Sequence, residues 1–340
     1  MILIDCTFVN SQGGINVLTN LIKSISPELE SQFILFLDYR LRLNKEISNK
    51  TFETYYVKNN LISRQVLFFK HRRRISVILS LGNIPLILTF KRYQMTYNMQ
   101  YFIFETKNIK SISKRYIWKI KSFVIKLIFK IAKTDVAVQT DAMKRLFMKK
   151  LFINERNIFL YPIFSELLPH KFNHTKHKFI YLSSGEKYKN VEFLLDAFIK
   201  HADLFPKSSL VLTISEKYKK LNLRINQLLK KGYKIINKGS ISHESAIELL
   251  KTNYILVHPS EVESFGLVLL EASQLGNAII APKINYVSEI CLPSLSYDLN
   301  KLSSLIQCLN ESSQSPLSMS RPIIRNMSNE LINHLYYKLN

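Results

Sequence analysis

Glycine is scarce in this chain, with 8 among 340 residues, beside 10 proline, 3 cysteine and a single tryptophan. So little Gly and Pro excludes a collagen-like or low-complexity chain, and a hydrophobic share of 47% points to a packed globular protein. Cys6, Cys291 and Cys308 are odd in number and far apart, with no CxxC and no Cys/His cluster. That excludes a disulfide framework and a zinc site, and reads as structural thiols in a reducing compartment. Acid is the next shortage: 25 Asp+Glu stand against 48 Lys+Arg, a formal net charge of +23. Such an excess implies an anionic partner (nucleic acid, anionic lipid or phosphorylated substrate), unless a Lys/Asn/Ile-rich genome accounts for it. No nucleic-acid module and no cluster of stacking aromatics is present, so no nucleic-acid partner is expected. Long apolar runs are missing too. Residues 75–90 are uncharged, but Gly82, Asn83 and Pro85 interrupt them and they are too short to span a bilayer. The opening MILIDCTFVN has an acid at Asp5 and no basic n-region, so it reads as a first strand and not a signal peptide.

What is present is an alternation of strands and helices. Met1 to Val9 reads as a strand, followed by a turn holding Gly13-Gly14 and an amphipathic helix over about 15–25. A GG pair at such a turn lets a polar ligand approach the helix N-terminus, or simply makes a tight βα turn. Strands are expected at 32–37, 51–57, 76–81, 85–90, 94–104, 134–140 and 157–160, with a helix over 141–149. The pattern restarts with strands at 179–183, 209–214 and 235–236 and helices at 191–199, 223–231 and 242–250, the last with Ser242 as N-cap. Residues 166–178 carry Pro169, His170, His174 and His177 with little periodicity, which reads as an interdomain linker. Alternation of this kind gives an α/β class with parallel sheets. The division is an N-terminal Rossmann-like domain at 1–165, the linker, a C-terminal domain at 179–315, and a helical segment at 316–340 that could pack back on the first domain.

The densest pattern is YILVHPSEVESFGLVLLEASQLGNAIIA, Tyr254 to Ala281. A short buried strand ends at His258-Pro259, and a helix over Leu267 to Leu275 stops at Gly276 as a C′ residue. Another strand begins at Ala278. Two carboxylates, Glu263 and Glu271, bracket Phe265-Gly266 where the helix N-terminus meets the sheet edge, and the chemistry is placed there. The segment from Lys107 to Lys133 is unusual by charge: nine Lys/Arg, no acid, and interleaved apolar residues including Trp118, Phe123 and Phe129. It is either a core helix with a solvated basic flank or a surface that meets an anionic membrane, each Lys or Arg contributing about 1 kcal/mol. Lys70 to Arg74 forms a second basic cluster.

Together these pieces resemble the retaining glycosyltransferases of family 4, which have the GT-B fold of two Rossmann-like domains facing across a cleft. The resemblance rests on Glu263-Ser264-Phe265-Gly266 through Glu271, the family's two-glutamate spacing. It extends to GGI near the start, DVAVQTDAMKRL, FIYLSSGEKYKNVEFLLDAF, GSISHESAIELL and YVSEI. It implies that Glu263 binds the donor sugar and Glu271 the ribose. Ser264, Phe265, Gly266 and Leu267 would surround the sugar and diphosphate, and Lys189 would offset charge on the departing diphosphate. Gly239, Ser240 and Ile241 would hold the nucleobase, and Gly13 and Gly14 would approach the diphosphate or acceptor. Two departures stand out. Ser184 occupies the place of the family's usual arginine, and Tyr97 and Asn98, in QMTYNM, stand where an acceptor-side histidine is frequent. With no DxD-like motif, the resemblance implies metal-independent transfer, no cofactor, and a UDP- or GDP-linked sugar as co-substrate. The expected acceptor is a lipid-linked or oligosaccharide glycan of capsule, O-antigen or lipopolysaccharide synthesis, reached from the cytoplasmic face of the membrane. An inverting GT-B enzyme and an inactive, basic transferase-like binding protein are the alternatives.

Overall fold

The computed structural model describes residues 1–41, 50–90, 92–99, 112–151, 153–170 and 176–339. The chain divides into two compact units: Met1–Ser165 with Arg325–Asn340, and Glu166–Ile324.

The first unit is built on strands β1 (Ile2–Cys6), β2 (Phe33–Asp38), β3 (Glu53–Val57), β4 (Val77–Ser80), β5 (Tyr93–Tyr97), β6 (Asp135–Val138) and β7 (Ile158–Leu160). All pair in parallel, in the order β3-β2-β1-β4-β5-β6-β7. β1, β2 and β4 are buried at every position, which is why they read as unbroken apolar runs. Helices α1 (Gln12–Lys23), α2 (Leu61–His71), α3 (Ile112–Ala132) and α4 (Asp141–Leu151) cover the sheet. Register fixes which helix lies on which face, because successive side chains alternate. Leu3, Ile34 and Ile78 lie side by side, and the same face continues through Gln94 and Thr96 to Val136. Phe68 of α2 packs with the first three, while Ile125 and Phe129 of α3 pack with Val136. So α2 and α3 share one face of this sheet. Leu18 and Leu21 of α1 pack with Ile2 and Ile4 on the other.

Several expectations shift. α1 begins three residues before its expected start, because Ser11 caps it by accepting from the Gly14 amide at 3.3 Å. Gly13 and Gly14 therefore sit in the first helical turn and not in a turn before it. No sequence expectation covers α2, which takes in Lys70 and His71 of the basic cluster. Residues 85–90, expected as a strand, form a loop whose amides go to side chains: Leu86 donates to Gln94 Oε1 at 3.0 Å and Ile87 to Gln65 Oε1 at 3.3 Å. Arg64 is buried in the same region and pairs with Asp5, while donating to Ser80 and to the carbonyls of Ile84 and Pro85. Removing one partner of such a buried pair costs about 3–5 kcal/mol. The parts of expected elements at 100–111, with Lys107 and Lys110, lie outside the described residues, as does linker residue His174.

The second unit repeats the plan with β8 (Lys178–Tyr181), β9 (Ser209–Leu212), β10 (Lys234–Asn237), β11 (Ile255–Val257) and β12 (Ile279–Pro282). A short antiparallel ribbon of β13 (Cys291–Leu292) and β15 (Arg321–Pro322) flanks β14 (Leu295–Tyr297) in sequence. The sheet order is β10-β9-β8-β11-β12-β14, all parallel. Its helices are α5 (Val191–Leu204), α6 (Lys219–Lys230), α7 (His243–Leu250), α8 (Leu267–Leu275), α9 (Asn285–Ile290) and α10 (Leu302–Gln314). The last helix, α11 (Ser328–Leu339), returns to the first unit, where Leu331, Ile332 and Leu335 join the core beside α1.

Candidate active site

In the second unit the chain leaves β8 towards β9 and β10 on one side, and places β11, β12 and β14 on the other. The order reverses between β8 and β11, where an open parallel sheet forms a crevice at the carboxyl ends of its strands. The two loops at that point carry Lys189 and Glu263. After β8, a 3-10 turn over Lys187–Lys189 ends at Asn190, whose left-handed backbone (φ 55°) redirects the chain into α5. After β11, the His258-Pro259-Ser260 loop is tied to that turn, since the Glu261 amide donates to the Tyr188 carbonyl at 2.9 Å. Lys189 Nζ donates to both carboxylate oxygens of Glu263, at 2.7 and 2.9 Å, with both side chains largely shielded.

A set of buried hydroxyls braces this pair from below. Tyr181 donates to the Lys189 carbonyl at 3.0 Å and lies 2.9 Å from Ser260 Oγ. Tyr286 donates to the Ser260 carbonyl at 2.8 Å, which spends its proton. The contact of 3.0 Å between His258 Nε2 and the Tyr286 hydroxyl therefore needs the proton on Nε2. His258 Nε2 is also 3.8 Å from Glu263 Oε1, and burial pushes its pKa down to about 4, so the ring is neutral. His258 Nδ1 is left buried with no hydrogen-bond partner among the described residues. No sequence signal pointed to this histidine, because its partners are distant in the chain.

Gly266 holds a left-handed conformation (φ 76°) directly before α8, and a Cβ there would lie 2.9 Å from Ile290 Cδ1. Only glycine meets both constraints without displacement. Gly276 ends the helix, likewise left-handed (φ 80°), with the Asn277 amide returning to the Ala272 carbonyl at 2.9 Å. Leu267 starts the helix and Phe265 packs inward beside it. Glu271 lies in the second turn, 5% exposed, and accepts from His243 Nε2 at 2.5 Å. Burial raises the Glu271 pKa, opposed by His243, whose own pKa is raised by the bond. His243 opens α7, one residue after the Ser242 cap, which accepts from the Ser245 amide at 3.1 Å. The loop before it, Gly239-Ser240-Ile241, is fixed by Asn237. Its Oδ1 accepts from the Gly239 amide at 3.2 Å and from Ile214 at 2.8 Å.

Ser184 does not reach Lys189's partner; it donates to Glu186, which also accepts from the Tyr218 hydroxyl at 2.5 Å. Burial pushes the Glu186 pKa up, but these bonds outweigh it and hold the carboxyl below its usual value. In the first unit, Tyr97 has no exposed surface and spends its hydroxyl on the Tyr161 carbonyl at 2.6 Å. Asn98 is 1% exposed, and its amide continues the ladder to the Ala137 carbonyl. Tyr97 closes β5 and Asn98 follows it, both buried at the carboxyl end of that strand.

Helix α3 is the other feature the structure sharpens. Ile125, Ile128, Phe129 and Ala132 are its buried side. Ile117, Ile120, Phe123, Val124, Leu127 and Ile131 are all exposed, from 45% to 69%. Apolar residues thus stand outside the core at helical spacing, and exposed Lys119, Lys121 and Lys130 stand among them. No helix among the described residues is long and apolar enough to cross a membrane.

Comparison with known proteins agrees with this geometry. Residues 166–293, most of the second unit, match the family model described as Glycosyl transferases group 1. Along nearly its whole length the chain has the two-unit GT-B fold. It superposes on HepE of Anabaena, solved with UDP and glucose, with a TM-score of 0.67 at 11% identity, covering 99% of this chain and 96% of that one. It also superposes on the apo form of WaaB, a lipopolysaccharide outer core galactosyltransferase, with a TM-score of 0.61 at 12% identity, covering 100% and 99%. A curated relative, the phosphatidylinositol N-acetylglucosaminyltransferase gpi3 subunit of Schizosaccharomyces pombe, is 39% identical over 56 residues. That match spans 16% of this chain and 12% of the relative's length.

Proposed function

We propose that this chain transfers a sugar from a nucleotide-sugar donor, with retention of anomeric configuration, to a lipid-linked glycan at an anionic membrane surface. The observation that carries the reading is the Lys189–Glu263 pair at the switch point of the second sheet. Without donor, the two groups neutralise each other. A diphosphate offers Lys189 a more highly charged partner, and Glu263 is then released to accept from the sugar's hydroxyls and to face positive charge developing at the anomeric carbon. Glu271, held by His243, accepts from the ribose. The bond between the anomeric carbon and the phosphate oxygen breaks while the bond to the acceptor oxygen forms on the same face. The acceptor's proton passes to the departing phosphate oxygen, so no protein base is required. Lys189 stabilises the diphosphate as it leaves. HepE was solved with UDP and glucose, which supports UDP as the first nucleotide to try.

The membrane part is favoured by α3, whose outer side is apolar beyond what its own core needs and is flanked by lysines. A polysaccharide-assembly role at the inner face of the cell membrane, for capsule, O-antigen or lipopolysaccharide, follows from that surface together with the two-glutamate resemblance. The test is incubation of the protein with UDP- and GDP-sugars and a short-chain lipid-linked acceptor, with NMR of the product. An α-linked product from an α-linked donor is expected; inversion, or no turnover of any donor, refutes the reading.

A further inference from the structure

Helix α2 has a built apolar groove on its outer side. Its inner residues Arg64 and Phe68 are buried, whereas Ile62 and Val66 are 77% and 60% exposed. The loop over 84–90 runs alongside and presents Leu88, 53% exposed. Between helix and loop lies a groove of about 320 Å³, walled by Leu61, Ile62, Val66, Phe69, Leu86 and Leu88. The loop is held off the helix by side chains that also satisfy its backbone. Gln65 Nε2 donates to the Leu88 carbonyl at 2.9 Å, and Gln65 Oε1 accepts from the amides of Ile87 and Leu88. Arg64 donates to the Ile84 carbonyl at 2.7 Å and the Pro85 carbonyl at 3.3 Å. Hydrocarbon can therefore enter without stranding polar groups of this wall.

Charge at the groove's end selects among apolar occupants. The Phe69 and Phe90 rings meet at 5.6 Å, and the Arg72 guanidinium lies 5.7 Å from the Phe90 centroid. Lys70, Arg72 and Arg73 are exposed, and among the described residues no carboxylate forms an ion pair with them. An apolar slot that opens onto cations fits an amphiphile with an anionic head. Register adds that α2 and α3 lie on the same face of the first sheet, so both exposed apolar sides project from one side of this unit.

We propose that this groove takes an acyl chain of an anionic membrane phospholipid, its phosphate against Arg72. Helices α2 and α3 then form one membrane-contacting face with two points of attachment. The inference rests on the membrane part of the proposed function and adds a second, separately testable site to it.

The experiment places the single tryptophan as a reporter. In a Trp118→Phe background, Ile62→Trp reports on α2 and Ile120→Trp on α3. Each protein is mixed with phosphatidylglycerol vesicles brominated on the acyl chain, with phosphatidylcholine vesicles as control. At least twofold quenching of the Ile62→Trp emission is expected, on the anionic vesicles alone. In parallel, Ile62→Ser with Val66→Ser and Leu88→Ser, all exposed positions, is expected to weaken vesicle affinity tenfold or more with an unchanged circular dichroism spectrum. Quenching of the α3 reporter with an unquenched α2 reporter overturns this inference and leaves the membrane reading standing. No quenching of either overturns both. Unchanged vesicle affinity in the triple-serine variant, together with loss of a wild-type dimer in sedimentation, overturns it in favour of self-association.

Discussion

Helices α3 and α8 are both apolar over most of their length, and they meet opposite surroundings. α8 buries Leu269, Leu270, Ala272 and Leu275 within its own unit and carries one carboxylate, Glu271, into that interior. α3 uses one side for its core and turns Ile117, Ile120, Phe123, Val124, Leu127 and Ile131 outward. An apolar helix shows only that something must cover it; its polar neighbours say what. Beside α8 the neighbours are His243, Glu263 and Lys189, a set suited to the hydroxyls and phosphates of a nucleotide sugar. Along α3 itself they are lysines, with no acid in the helix sequence, suited to a charged surface.

The largest effect that would break this contrast is at the α8 end of the comparison. Glu263→Gln removes the charge opposite Lys189 while keeping its shape, and transfer is expected to fall by roughly 10²–10³-fold in kcat. A radiolabel transfer assay that finds wild-type turnover would place the chemistry elsewhere. At the α3 end, Lys119, Lys121, Lys126 and Lys130 changed to Gln should remove about 1 kcal/mol each, lowering affinity for anionic vesicles by roughly 10²–10³-fold at low salt. Co-sedimentation that shows unaltered binding would leave these lysines as an ordinary solvated flank of α3.

Third comes a pH effect within the α8 site. The folded-state pKa of His258 lies near 4, below the ordinary 6.5. The unfolded chain therefore takes up the proton first, and stability drops as the pH falls from 6.5 towards 4, with no effect above that window. At about 1.4 kcal/mol per unit the loss approaches roughly 3 kcal/mol. His258→Phe should flatten this acid-side decline in thermal melts; an identical decline would show that other groups cause it. The smallest effect is Gly266→Ala, which forces a left-handed alanine and a shift of Ile290. It should cost about 1–2 kcal/mol of stability, read as a lower melting temperature.

Much of the second unit was legible in the sequence because its signals are local. The strand ending at Val257, the helix over Leu267–Leu275 and its stop at Gly276 appear at the expected residues. The Ser242 cap is likewise in place. The first unit was harder to read for physical reasons. Residues 85–90 have a strand's composition, yet Gln65 and Gln94 take their amides, a tertiary choice no periodicity reveals. α2 hides its core contact behind Arg64, a charged residue that is buried because Asp5, Ser80 and the carbonyls of Ile84 and Pro85 receive it. The partnership of His243 with Glu271 and the brace of His258 by Tyr286 join residues 28 apart in each case, so composition could not announce them. For α3 the sequence left two readings open, because which apolar residues lie on the outer side is set by tertiary packing and not by periodicity.

In the proposed function, Lys189 and Glu263 exchange each other for a nucleotide sugar. Calorimetric titration of UDP into the wild-type chain and into Lys189→Met tests it most directly, with GDP as the second ligand. The account predicts saturable binding of one nucleotide to the wild type, weakened tenfold or more in Lys189→Met. Equal affinity in both proteins, or no binding of either nucleotide to the wild type, would contradict it.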